Sequence, residues 1–303
     1  MKRNLKNRNE SYQWLFSVHG GHSKDFCEHA RGSLISIVKK AINLNMPIYG
    51  ITEHAPRLEN KYLYPEERDK GLTPLDLLKR YEKYCERISE LQKCFQDSIT
   101  LLKGLEIEIV PEDSYVDIMK KLIWDGNIEY IVGSVHWVYD IPFDFSKEEF
   151  NRGVKKFGLV KLIKRYYELL RDMVVKLKPE VVGHFDLITC YIPSDELIRL
   201  YPKIEKDIDN TLEVIKRSKA LLEVNTSGFR KVINRCFPDV YILKKVKEIN
   251  IPITFGDDSH SSREVGAYIK KVRKILLKLG ITEVVQLTKL NGSKILRKNI
   301  LLT

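Results

Sequence analysis

Short apolar runs alternate with longer amphipathic stretches along this chain. Seven runs, at 14–19, 47–52, 100–110, 130–137, 181–185, 220–224 and 251–255, are rich in β-branched and aromatic residues and read as strands. Between them apolar residues recur at helical spacing. Ser33 is placed to N-cap a helix reaching Leu44, and Pro74 stands near the start of a longer one carrying Leu77, Leu78, Tyr81, Ile88 and Leu91. Residues 159–177 repeat Leu162, Ile163, Tyr166, Leu170 and Met173 on one face. Ser194 opens a short helix, and Pro202 begins a second that runs to Lys216. Helices at 239–248 and 263–279 and a weak βα-like tail complete the series. Strands mostly followed by helices predict parallel βα units. Seven strands are one short of a full (β/α)8 barrel, and an open doubly wound sheet also fits this pattern.

Composition narrows the class. The 303 residues are 43% hydrophobic and 31% charged, an ordinary globular balance long enough for a sizeable core. No linker-like stretch interrupts them, so one domain over 1–303 is expected. No apolar run approaches the ~20 residues that span a bilayer, so no membrane role is expected. The apolar part of the basic N-terminus is too short for a secretory signal. The five cysteines include no C-x-x-C pair and read as reduced thiols of a cytoplasmic protein. The net charge of +11 would suit nucleic acid or an anionic substrate. The basic residues, however, fall in dispersed pairs such as Lys39-Lys40 and Lys155-Lys156, which read as solvated helix faces, so nucleic acid is not an expected partner. Nothing specifies an oligomeric state.

The chemistry lies in the histidines. His19, His54, His136 and His184 fall at strand ends; His22, His29 and His260 follow in short loops, and these are all seven in the chain. Any one of them alone reads as a hydrogen-bonded loop residue. In a βα barrel, however, the carboxyl ends of the strands converge on one face. Seven imidazoles gathered there would repel one another if protonated, and a metal resolves the conflict. Glu106 and Glu108 alternate along one strand and so point to the same face, inward in a barrel, where carboxylates need a cation or a proton. "FGDDSH" adds Asp257, Asp258 and His260, which fit either a ligand set or an acidic turn. Cys27 beside His29 raises a nucleophilic reading that nothing else supports; a small packed residue is the expectation.

"HGGHSKDFCEHA", "ITEHAP", "GLEIE", "GSVHW", "VGHFDLI", "EVNTSGFRK" and "FGDDSH" resemble, in order, the motifs of the PHP (polymerase and histidinol phosphatase) superfamily, closest to its histidinol-phosphate phosphatase branch. The resemblance implies a distorted (β/α)7 barrel and favours it over an open sheet. It implies two to three divalent ions (Zn, Fe or Mn) held by His19, His22, His29, His54, Glu106, His136, His184, Asp258 and His260, with Glu106 bridging. One departure stands out. The family's first motif is His-x-His, whereas here it is His19-x-x-His22, and strand alternation would send these two side chains apart. Gly20-Gly21 would allow a bulge that brings both to one metal.

The resemblance further implies metal-assisted hydrolysis of a small phosphate monoester, L-histidinol phosphate, to L-histidinol and phosphate. Asp258 or His260 would serve the leaving group, Arg230 would clamp the phosphate, and Asn225 and Ser227 would bind substrate. The substrate amine calls for a carboxylate, with Glu108 and Asp257 as candidates. Two rivals remain: a phosphoesterase acting on nucleotides or oligonucleotides, and a non-catalytic barrel that binds metal or a phosphorylated ligand.

Overall fold

The computed structural model describes residues 13–289 and 294–303. The basic N-terminal stretch 1–12 lies outside them.

Six strands form one parallel sheet: β1 (Ile48–Ile51), β2 (Thr100–Ile107), β3 (Tyr130–Gly133), β6 (Val181–Val182), β7 (Leu221–Asn225) and β8 (Ile253–Gly256), in that spatial order. Strands β1, β3 and β8 are buried at every position, as expected of a parallel sheet covered on both faces. The predicted first strand closes the curve without regular strand geometry. Gly50 N donates to Ser17 O (2.8 Å) on one side, and Val18 N donates to Phe255 O (2.9 Å) on the other. Residues 17–20 thus bridge the free edges of β1 and β8, and the distorted seven-membered barrel is confirmed.

Helices wrap the sheet: α1 (Leu34–Asn43), α2 (Pro65–Asp69), α3 (Pro74–Cys94), α4 (Tyr115–Asp125), α5 (Lys147–Phe157), α6 (Leu159–Leu177), α7 (Ser194–Ser218), α8 (Val240–Glu248) and α9 (Ile269–Lys278). Sequence periodicity missed α2, α4 and α5. Ser33 does precede α1, but its side chain makes no capping bond; Asp25 Oδ2 accepts from Leu34 N instead. The break expected at Pro202 is absent. One helix runs through it, because Leu197, Leu200, Tyr201, Ile204 and Ile208 form a continuous buried face that outweighs the lost hydrogen bond. Helix α9 starts at Ile269, not 263, after Tyr268 in the left-handed region (φ 62°).

The predicted strand 130–137 splits after Gly133. Ser134–His136 leave the sheet, and β4 (Trp137–Val138) turns back onto β5 (Ile141–Pro142) through Tyr139 and Asp140, both at positive φ. The C-terminal tail is not a βα unit but an antiparallel pair, β9 (Glu283–Lys289) and β10 (Ile295–Leu301). No helix among the described residues is long and apolar enough to cross a membrane. All five cysteines are free.

Candidate metal centre

Every predicted ligand reaches the same end of the barrel. Glu106, near the end of β2, is buried at the centre. Its Oε1 lies 2.9 Å from His184 Nε2, 3.3 Å from His19 Nε2 and 3.3 Å from His136 Nε2. Its Oε2 lies 3.0 Å from His54 Nδ1 and 3.6 Å from His22 Nε2. His22 Nε2 is also 3.5 Å from Asp258 Oδ1. His260 stacks on His22 with centroids 4.3 Å apart, and His29 sits 4.9 Å from His260.

The long first-motif spacing is accommodated as the glycines suggested. Gly21 takes φ 82°, which side chains disfavour, and a Cβ on Gly20 would stand 2.2 Å from Asp257 Oδ1. His19, His22 and Asp258 consequently place one ligand atom each within 4.8 Å of one another.

Many of these nitrogens lack partners. Among the described residues, His19 Nε2, both nitrogens of His22 and of His54, His184 Nδ1 and Glu106 Oε2 are buried without a hydrogen bond. Buried polar atoms are normally satisfied, so this density of orphans marks groups shaped for another species. Five overlapping sets, His19/Glu106/His184, His19/His22/Asp258, His22/His54/Glu106, His54/Glu108/His136 and Cys27/His29/His54/His260, have ligand spacing. All nine expected ligands fall in at least one set, and Glu106 falls in two. The residues present therefore fit divalent ions, whose ligands are neutral imidazole and carboxylate.

Outer carboxylates aim the rings. Glu223 Oε1 accepts from His19 Nδ1 (2.8 Å), Glu108 Oε2 pairs with His136 Nδ1 (3.2 Å), and Glu66 Oε1 pairs with His29 Nδ1 (3.0 Å). Each orients Nε2, those of His19 and His136 toward Glu106 and that of His29 toward Cys27 Sγ (3.2 Å), as in a carboxylate–histidine–metal arrangement. Burial alone would lower the pKa of His19, but Glu223 and Glu106 raise it well above the ordinary value. In His22, burial dominates, helped by His260 and His54, and the ring is held neutral. Glu223 was missed in the sequence, although its place in β7 repeats the Glu106 signal: a carboxylate on an inward strand position. Gly256 opposite it has no room for a side chain, since a Cβ there would overlap Glu223 Oε1.

A cavity of about 320 Å³ opens over the cluster, lined by His29, His54, Glu106, His136, His184, Asp258 and His260 at its base. Arg230, Lys231, Ser227, Tyr64, Asp144 and Phe145 are among its walls. Arg230 Nη2 donates to the carbonyls of Asp257 (2.9 Å) and Asp258 (2.7 Å), while Nη1 has no partner among the described residues. Ser227 Oγ is likewise buried without one. Asn225 does not line the cavity: its amide donates to Glu223 and its Oδ1 accepts from Ser227 N. Neither predicted amine-binding carboxylate is available. Glu108 is taken by His136, Tyr64 and Arg57, and Asp257 by Tyr49, Ser259 N and Gly266 N, with burial pushing Asp257 up to about 6. Asp144 is on the cavity wall, and its carboxylate has no partner among the described residues.

Comparison with known proteins agrees with this geometry. Residues 20–227 match the PHP domain. The chain belongs to the PHP domain family. It is 34% identical over 272 residues to a probable histidinol-phosphatase of Schizosaccharomyces pombe, covering 88% of each chain. The crystal structure of a putative histidinol phosphatase from Listeria monocytogenes superposes with a TM-score of 0.71 at 22% identity, over 83% of this chain and 98% of that one. The histidinol phosphate phosphatase of Lactococcus lactis, solved with zinc, L-histidinol and phosphate, gives 0.68 at 21% identity, over 92% of this chain and 98% of that one. In this PHP domain the strand-end cluster is thus set on the same fold as the solved phosphatases.

Proposed function

We propose that this chain is a metal-dependent phosphomonoesterase that hydrolyses L-histidinol phosphate to L-histidinol and phosphate. The carrying observation is the cavity. Its base is the Glu106 cluster, one wall offers an unpaired guanidinium nitrogen, and another carries the Asp144 carboxylate. A small ester bearing phosphate at one end and an ammonium group near it satisfies all three. The similarity to the S. pombe relative, which runs nearly end to end, supports the same reading.

The predicted ligands would hold two to three divalent ions, with Glu106 between two of them. Such ions supply a water that is acidic near neutral pH and positive charge for the phosphoryl oxygens. The chain's own groups do the rest. Arg230, locked by two carbonyls, presents Nη1 to the phosphate, with Lys231 as a point charge beside it and Ser227 Oγ as a neutral donor. Burial would raise Asp258, yet His19 and His260 hold it well below the usual carboxylate range, so it enters the reaction ionised. From the cavity base it can take the attacking water's proton and return it to the leaving alkoxide. His260, with Nδ1 on the Asp258 carbonyl (3.1 Å), is left to ligation. Asn225 becomes a positioning residue that holds Glu223. Asp144 takes the substrate ammonium, and the stacked Tyr64 and Phe145 rings (5.8 Å) offer a wall for its imidazole.

The test is phosphate release from histidinol phosphate, 3′-phosphoadenosine phosphate and a short oligonucleotide, with and without chelator. Histidinol phosphate is expected to be fastest and to stop on chelation. If it is the slowest of the three, the substrate reading fails; a chelator without effect overturns the metal reading. No release from any substrate by the metal-loaded protein would mark a binding barrel.

A further inference from the structure

Cys27 is buried, as expected of a packed residue, and its sulfur also meets the histidine cluster. Sγ lies 3.2 Å from His29 Nε2, and Cys27, His29, His54 and His260 each bring one ligand atom within 4.8 Å of the others. Ligand atoms around one tetrahedral zinc stand roughly 3.3–3.7 Å apart, given Zn–S of about 2.3 Å and Zn–N of about 2.0 Å. Glu66 and the Asp258 carbonyl hold Nδ1 of His29 and His260, so both rings present Nε2. His54 is buried here with neither nitrogen hydrogen-bonded among the described residues.

The direction of approach matters as much as the distance. Cys27 does not line the substrate cavity; it lines a small space behind the cluster with Phe26, Glu53, Ala55 and Arg57. A turn fixes it there, with Cys27 N donating to Ser23 O (2.7 Å). A sulfur from behind would complete a four-ligand set with the three imidazoles. Arg57, paired with Glu67 and Glu108, lines the same space.

We propose that Cys27 is a thiolate ligand to a metal position shared with His29, His54 and His260, which makes that position soft and zinc-preferring within an otherwise imidazole–carboxylate centre. This rests on the metal-loaded reading above, but its test reads sulfur and not turnover. The full chain is loaded with cobalt(II), and the near-ultraviolet sulfur-to-cobalt charge-transfer band is recorded. The band is expected in the wild type and in Cys190→Ser and Cys236→Ser, and it disappears in Cys27→Ser. One metal equivalent in Cys27→Ser should also be lost to a competing chelator about 10- to 100-fold more readily. X-ray absorption of the zinc-loaded wild type needs no variant and should show a sulfur neighbour at about 2.3 Å. A fully loaded wild type with no sulfur signature, or a band that survives in Cys27→Ser, overturns the proposal. Failure of the phosphatase reading would look different: an intact band with no phosphate released.

Discussion

Glu28 and Glu106 are both nearly buried carboxylates ringed by nitrogen, and the loop after the first strand contributes to both rings. Around Glu28 the nitrogens belong to Lys24 (2.7 Å), Arg80 (2.7 Å) and Lys70. These are permanent cations on long stems, and they settle the charge completely. Around Glu106 the nitrogens belong to His19, His22, His54, His136 and His184, and several have no hydrogen bond among the described residues. A carboxylate stabilised by lysine and arginine needs nothing further. One surrounded by imidazoles is complete only if rings such as His19 take up protons or a cation enters, because a neutral ring nitrogen without a proton is itself an acceptor. The difference separates a structural ion cluster from a site within a single loop's reach.

If that contrast is right, damage at Glu106 must be far worse for function than damage at Glu28. Glu106→Gln should cost well over about 100-fold in phosphate release, beyond the 10- to 100-fold usual for groups that only orient a ligand. Metal analysis of the purified variant should show fewer ions per chain at unchanged thermal stability within a few degrees. Full metal content would break the assignment of Glu106 as the bridge. Glu223→Gln comes next. It keeps an acceptor for His19 Nδ1 but loses the charge, so about 10- to 100-fold in metal affinity or rate is expected. Competition against a chromophoric chelator checks the affinity, and an unchanged value would make the His19–Glu223 contact merely structural.

The site was more legible in the sequence than its frame. Histidine and glutamate at strand ends identify themselves, because few other roles put so many titratable groups on apolar strands. Glu223 carries the same signature and was overlooked since no second carboxylate stands two residues away, as Glu108 does from Glu106. The burial of Cys27 was legible, but its place beside His54 and His260 was not, because sequence spacing shows only its neighbour His29. The helix break at Pro202 was a local inference overridden by tertiary burial along α7. The apolar run at 14–19 was legible as the seventh member, but its irregular geometry was not, since a few hydrogen bonds from residues 17–20 to each neighbour close the barrel.

Between the extremes lies Asp144, a carboxylate on the cavity wall with no hydrogen bond or ion pair among the described residues. Asp144→Asn should raise KM for histidinol phosphate by about 10-fold or more, the worth of one charged hydrogen bond, at nearly constant kcat. Phenyl phosphate, which has no amine, should be hydrolysed as by the wild type. Equal losses on both substrates would move Asp144 from recognition to structure.

Glu28 gives the smallest functional effect and the cleanest contrast. Burial alone would raise its pKa, but Lys24, Lys70 and Arg80 bring it from 4.5 down to about 2. A folded value below the unfolded one means the stabilisation is complete above about 4.5 and is lost as pH falls toward 2. The full difference corresponds to at most about 3 kcal/mol, and the half-exposed lysines are screened by water, leaving about 1–2 kcal/mol. Glu28→Gln should therefore lower the urea midpoint at neutral pH and approach the wild type as the solution is acidified. Phosphate release and metal content should stay within about twofold, as for substitutions away from a site. If Glu28→Gln loses metal instead, the salt-bridged cluster holds Cys27 and His29 in ligand geometry, and the two carboxylates belong to one device.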